Sequence, residues 1–218
     1  MNWRTPVPPR LLAQYLGLVL GVAALGLQFW LSMSSMLGNG RDLPGALGNF
    51  FSYYTILTNL GLVLIYLAET LPRAPLDLFR RPLVRGLMLA SIALVSLFVF
   101  FVLRFQYELE GPWKTADDML HYLCPLLYLI WWLLGPHGTL AWRDLPVMLA
   151  PTLAYFLYIL ARGAWVTEYP YAVIDVAGFG YGQVLLNAVY MTALLAALCL
   201  VTIGLDQWLA RSPRTIRS

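Results

Sequence analysis

The sequence predicts an all-α polytopic membrane protein: one bundle of six transmembrane helices with both termini in the cytoplasm. Three observations lead there. Of 218 residues, 60% are hydrophobic and 11% charged, where soluble domains carry roughly 25% charged residues. The apolar residues gather into runs close to the ~17–25 residues that cross a bilayer. The basic residues between those runs favour alternate loops.

Residues 1–218 read as a single integral membrane domain, with no room for a soluble one. The first span, 11–33, is too long for a signal-peptide core. It leads into Ser-Met-Ser-Ser-Met rather than a small-residue cleavage site, so it reads as a retained helix. The second is 50–68 and the third 83–103. The fourth, 119–134, is the shortest, with Asp117 and Asp118 at its start. The fifth is 145–161 and the sixth 184–205. Pro and Gly mark the joins, from Gly38 and Pro72 through Gly111-Pro112, Gly135-Pro136 and Pro170 to Gly178-Phe-Gly-Tyr-Gly182. Gly61, Gly86 and Gly204 permit close helix contact.

Arg4, Arg10, Arg73, Arg80, Arg81, Arg85, Arg143, Arg211, Arg214 and Arg217 fall on one side of these spans. Arg41, Arg104, Lys114 and Arg162 fall on the other. The excess marks the cytoplasmic face. The net charge of +3 is scattered among loops, so it gives no nucleic-acid signal. Cys124 and Cys199 sit within apolar runs and imply no disulfide framework. Aromatic residues cluster at helix ends (Trp3, Trp30, Tyr53, Tyr54, Trp113, Tyr122, Trp165, Tyr169, Tyr171, Tyr181, Trp208) and read as an interfacial belt.

The second span carries an unusual polar face. Ser52, Thr55 and Asn59 recur at i, i+3 and i+7, with Thr58 beside them. In hydrocarbon such groups need partners or a function. At 1.5 Å per residue, Thr55 would lie about 7–8 Å below the outer edge, His121 about 3 Å and Asn187 about 4–5 Å. Asp117, four residues before His121, shares its helix face. A Thr hydroxyl becomes a nucleophile when a base takes its proton, and His suits that role near neutral pH. Asp117 or Asp118 could orient the imidazole, and Arg104, Arg162 or Asn187 could donate to an oxyanion. Each has a plainer reading. A membrane Thr usually bonds its own i−4 carbonyl, terminal arginines snorkel, and Asp117 and Asp118 could simply cap a helix. His137, in a Gly-Pro-His-Gly turn on the other side, reads as solvated. Two histidines on opposite faces cannot share one metal or haem, so no cofactor is implied.

Three stretches together resemble a known group. They are Phe50-Phe-Ser-Tyr-Tyr-Thr-Ile-Leu-Thr-Asn-Leu60, then Leu120-His-Tyr-Leu-Cys-Pro125, then Arg162-Gly-Ala-Trp-Val-Thr-Glu-Tyr-Pro-Tyr-Ala-Val-Ile-Asp175 with Gly180-Tyr181 and Asn187. Their order and spacing resemble bacterial six-span integral membrane proteins of unassigned function. Those are similar in turn to the androgen-induced-gene and androgen-dependent TFPI-regulating proteins of animals. The resemblance implies a multi-pass protein of the bacterial inner membrane. It also implies hydrolysis of lipid-like esters, such as fatty acid esters of hydroxy fatty acids, by a Thr nucleophile and a His that precedes a Pro. The His carries over to His121, with Pro125 behind it. The Thr carries over to Thr55, with Thr58 as a competitor, because the animal pattern has one Thr where this chain has two. Expected partners are then membrane lipids or a lipophilic substrate, with no nucleic acid. The competing reading is a non-catalytic six-span protein, either a small-molecule binder or carrier or a scaffold. A carrier would show discontinuous helices in matching halves, and no internal symmetry is visible.

Overall fold

The computed structural model describes residues 7–71, 73–105 and 108–211; Trp3, Arg4, Pro72, Arg214 and Arg217 lie outside the described residues. Among the described residues the chain is helical and contains no strand. In order come α1 (Pro9–Gly38), α2 (Leu43–Phe50), α3 (Tyr54–Thr70), the single turn α4 (Asp77–Arg80) and α5 (Pro82–Phe101). They are followed by α6 (Gly111–Asp118), a π turn (Met119–Leu123), α7 (Cys124–Leu133), α8 (Leu145–Val166) and α9 (Val176–Arg211). Proline opens α1, α5 and α8 within the first two positions, where its missing N–H costs nothing and its φ suits a helix.

Among the described residues, four helices are long and apolar enough to cross a membrane, or five when the bent pair α2 and α3 is taken as one span. Residues 119–134, the expected fourth span, are instead divided between the π turn and α7, with α6 running into them. None of the three reaches spanning length alone. The expected second span also differs. Its start, Phe50, closes α2, and the chain turns by 75° before α3 begins. Side chains satisfy the backbone groups the break exposes. The Ser52 hydroxyl donates to the Asn49 carbonyl at 2.6 Å, and the Tyr155 phenol of α8 donates to the Ser52 carbonyl at 2.8 Å. Ser52 therefore leaves the face predicted for it, and Thr55 stands in the first turn of α3 rather than within a straight helix. The sixth helix starts earlier than predicted and is interrupted at Gly180, whose φ of 74° suits only glycine.

The core lies where α1, α3, α5, α7 and α9 meet. Tyr66, Tyr128 and Trp131 pack there with ring centroids 5.4 to 5.8 Å apart. Gly17 of α1 admits the Tyr66 ring: a Cβ there would come within 2.3 Å of it. Gly61 and Gly86 do the same for Met88 and Leu140. At the end of the bundle carrying the start of α1, Glu69 accepts from Arg10 at 3.2 Å and from Arg85. Both guanidiniums lie over Trp131, 5.0 and 5.6 Å from its ring.

His137 belongs to this end too, and it is not solvated. Its side chain is 5% exposed, and Nδ1 lies 3.3 Å from Asp206 Oδ1. Nε2 lies 3.1 Å from the Leu133 carbonyl, and the ring packs on Trp132. The other oxygen of Asp206 accepts the Thr139 and Leu140 backbone N–H groups, each at 2.8 Å. A buried carboxylate is tolerated when it is paired and hydrogen-bonded in this way.

Candidate functional site

At the opposite end, α3 and the α6–α7 run bring together two residues far apart in sequence. The Thr55 Oγ1 lies 3.3 Å from His121 Nε2. His121 Nδ1 faces Asp117, with Oδ1 at 2.8 Å and the backbone carbonyl at 3.0 Å. Both of those atoms only accept, so Nδ1 carries the hydrogen and the Nε2 lone pair faces the threonine hydroxyl. Thr55 is 8% exposed, and the His121 side chain 13%.

The π turn sets this geometry. Cys124 N–H bonds the Met119 carbonyl, one residue further back than in an α-helix. The next donor in that register would serve the Leu120 carbonyl, but it belongs to Pro125, which has no N–H. Asn59 fills the gap: its Nδ2 donates to the Leu120 carbonyl at 3.2 Å and to the Thr55 carbonyl at 2.9 Å. Asn59, 1% exposed, thus ties the histidine's helix to the threonine's. Proline, π turn and asparagine form one device that holds α3 against His121.

Thr58 takes the plainer role. Its hydroxyl donates to the carbonyls of Tyr54 and Thr55 at 2.9 and 3.1 Å, the back-bonding usual for a helical threonine. Thr55 instead turns its hydroxyl to His121. Of the two acids, Asp117 holds the imidazole, whereas Asp118 is exposed and paired with Lys114 at 2.8 Å. The three predicted oxyanion donors are occupied elsewhere. Arg104 stacks on Phe100 and Phe105, at 3.9 and 4.6 Å from the ring centroids. Arg162 binds the Glu168 carbonyl at 3.2 Å. Asn187 donates to the Val173 carbonyl at 2.8 Å and accepts from Gln183.

Arg162 and Asn187 secure instead the strap that follows α8. The helix ends on Thr167 in the left-handed conformation, with φ 56°. Glu168 then pairs with Arg41, from the α1–α2 link, and with Arg162 at 3.6 Å. The Arg41 guanidinium holds the Glu168 carboxyl below the usual carboxylate range. Tyr169 lies against Gly163, where a Cβ would meet its ring at 2.0 Å. Tyr171 crosses to α3, packs edge-on against Tyr53 and Phe98, and accepts the Thr55 backbone N–H at 3.4 Å. Tyr171, read from the sequence as part of the interfacial belt and not as a site residue, is a neighbour of Thr55; the signal for it is its place in the Tyr169-Pro170-Tyr171 stretch, which the proline turns back toward the bundle.

A cavity of about 590 Å³ opens on Thr55 and His121, with walls that include Phe50, Ile56, Trp113 and Leu120. A smaller, apolar cavity of about 120 Å³ lies among α5, α8 and α9 and shares Tyr171. A further cavity of about 630 Å³ shares His121 and Asp117 and is lined as well by Arg104, Lys114 and Asp118. Among the described residues no group of three or more His, Cys, Asp or Glu could hold a metal ion. Comparison with protein-family models, with curated proteins and with solved structures found no match to this chain.

Proposed function

We propose that the protein is a membrane-embedded hydrolase of lipid-like esters, with Thr55 as nucleophile, His121 as its base and Asp117 as the group that orients the imidazole. The observation that carries this reading is the Asp117–His121–Thr55 relay facing a cavity. The 3.3 Å contact between hydroxyl and imidazole is close to the ~2.6–3.2 Å of a working pair, and unliganded sites run longer. Polar and titratable groups at membrane depth are expensive and gather at functional sites, and here three of them are joined in one chain. Thr55 attacks the ester carbonyl while its proton passes to His121 Nε2. The alkoxide leaves with that proton, and water hydrolyses the acyl-threonine by the same steps in reverse. The apolar walls at Phe50, Ile56 and Leu120 suit an acyl chain beside the ester.

The arrangement agrees with the resemblance to the bacterial six-span proteins and their animal counterparts, which we propose as this chain's relatives. With it we propose six spans, the α6–α7 run supplying one, both termini in the cytoplasm, and a bacterial inner-membrane location. The test is labelling with a lipophilic fluorophosphonate, which an unassisted threonine resists. Purified protein should label, and Thr55→Ala and His121→Ala should each abolish labelling while the protein still folds. The double variant should be no worse than either single one. Wild-type protein that neither labels nor cleaves a long-chain ester would leave the binder or scaffold reading in its place.

A further inference from the structure

An ester hydrolase needs donors aimed at the oxygen that becomes negative when the nucleophile adds. Arg104, Arg162 and Asn187 are all engaged elsewhere. Two groups remain beside Thr55. One is its own backbone N–H in the first turn of α3, where helical N–H groups have no intrahelical acceptor and the helix dipole favours negative charge. The other is the Tyr171 hydroxyl, which accepts that N–H at 3.4 Å and also reaches the Thr55 side chain.

We infer that Tyr171 is a catalytic residue, its phenol O–H and the Thr55 N–H together forming the oxyanion hole. This rests on the hydrolase reading above and adds to it a residue supplied by the strap. In the resting site the Thr55 hydroxyl donates to His121, so its oxygen is free to accept from the Tyr171 O–H. When Thr55 Oγ1 bonds the ester carbon, the carbonyl π pair moves onto oxygen and the threonine proton moves to His121. The phenol hydrogen then swings from Oγ1 to the neighbouring oxyanion. The Thr55 N–H, fixed in the first turn of α3 and making only a long bond of 3.4 Å to the phenol, donates to the same atom where it stands. When the intermediate collapses, the alkoxide departs with the proton from His121, the carbonyl re-forms and the phenol returns to Oγ1. Tyr171 keeps its own proton throughout. Burial pushes its pKa up to about 12, so it stays a donor across the working range.

The placement of the phenol is fixed from several sides. Its ring packs on Tyr53 and Phe98. The Ile174 N–H bonds the Tyr171 carbonyl at 3.1 Å, and Asn187 holds Val173 at 2.8 Å. Glu168 anchors the near end to Arg41 and Arg162. Such support holds the phenol oxygen in place, so that only its hydrogen turns as charge develops.

Tyr171→Phe keeps the ring packing and removes only the O–H. Hydrolysis of a long-chain p-nitrophenyl ester by the full-length protein in detergent should lose about 10²–10³-fold in kcat with KM nearly unchanged. An alkyl trifluoromethyl ketone, which forms an oxyanion on Thr55, should lose affinity by a similar factor. The melting temperature should not move. Wild type that hydrolyses while Tyr171→Phe retains kcat within about threefold overturns this inference alone. So does a rate loss that only follows loss of folded protein, with kcat per folded molecule unchanged. Wild type that neither hydrolyses nor labels overturns the hydrolase reading, and this inference with it.

Discussion

The molecule contains two histidine–aspartate pairs, one at each end of the bundle. His121 and Asp117 are neighbours on one helix turn, and their pair opens on a cavity of about 590 Å³. His137 and Asp206 are 69 residues apart and are sealed, with side chains 5% and 3% exposed. What separates them is the second ring nitrogen. In His137 it meets the Leu133 carbonyl, and Asp206 spends its remaining capacity on two backbone N–H groups. In His121 it meets the Thr55 hydroxyl. A His–Asp pair with every partner satisfied fastens a turn to a helix. The same pair with one nitrogen facing a threonine can move a proton.

The largest expected effects come from exchanging the roles of the two ends. His121→Gln should cost about 10³-fold in hydrolysis with little change in stability. Asp206→Ala should leave hydrolysis per folded molecule intact. It strands the Thr139 N–H and the buried Leu140 N–H, and thermal unfolding in detergent should show a loss of about 2 kcal/mol. If Asp206→Ala abolished turnover in folded protein, or His121→Gln unfolded the chain, the division between the ends would fail. A smaller effect separates the two threonines. Thr58→Val removes only bonds to backbone carbonyls, so it should cost about 1 kcal/mol or less and leave fluorophosphonate labelling as in wild type. Loss of labelling there would move the nucleophile from Thr55 to Thr58.

The smallest effect concerns the strap. Folding lowers the Glu168 pKa through its hydrogen bond to Arg41. Its contribution is therefore complete above the unfolded carboxylate value, about 4.3, and is lost as the pH falls through the folded value. Amide-exchange protection across 168–174, taken relative to the intrinsic rate at each pH, should fall on acidification below that point in wild type. In Glu168→Gln the protection should be lower at neutral pH and nearly independent of acid. Equal acid responses in the two proteins would detach the strap from Glu168.

The sequence made some of this legible. Asp117 and His121 are local, four residues apart on a helix, and the helical spacing of Thr55 and Asn59 survives intact. What it hid was non-local or lacked punctuation. His137 sits in a turn sequence that looks solvated, and its partner, Asp206, is 69 residues away. The 75° bend before α3 falls within Phe51-Ser-Tyr53, a stretch without Pro or Gly that a hydropathy reading carries straight through. Arg104, Arg162 and Asn187 were placed at the right end of the bundle. Depth along a helix does not say which way a side chain turns, and each turned to a nearer partner. Pro125 was noticed as part of a motif, but its effect on the hydrogen-bond ladder emerges only beside Asn59.

The π turn has one more consequence. A wide turn accommodates a residue that an α-helix would lack, and each residue advances a helix by about 100°. Removing a single amino acid from Met119–Leu123 would let both flanking helices continue as ordinary α-helix, with the Tyr128 and Trp131 side still in the core. The segment bearing Asp117 would be rotated by a quarter turn or more, out of line with Thr55. Deletions at this spot would therefore yield chains that insert and fold but have lost their alignment. The length of this one turn, more than the identity of its residues, sets the alignment of the two helices.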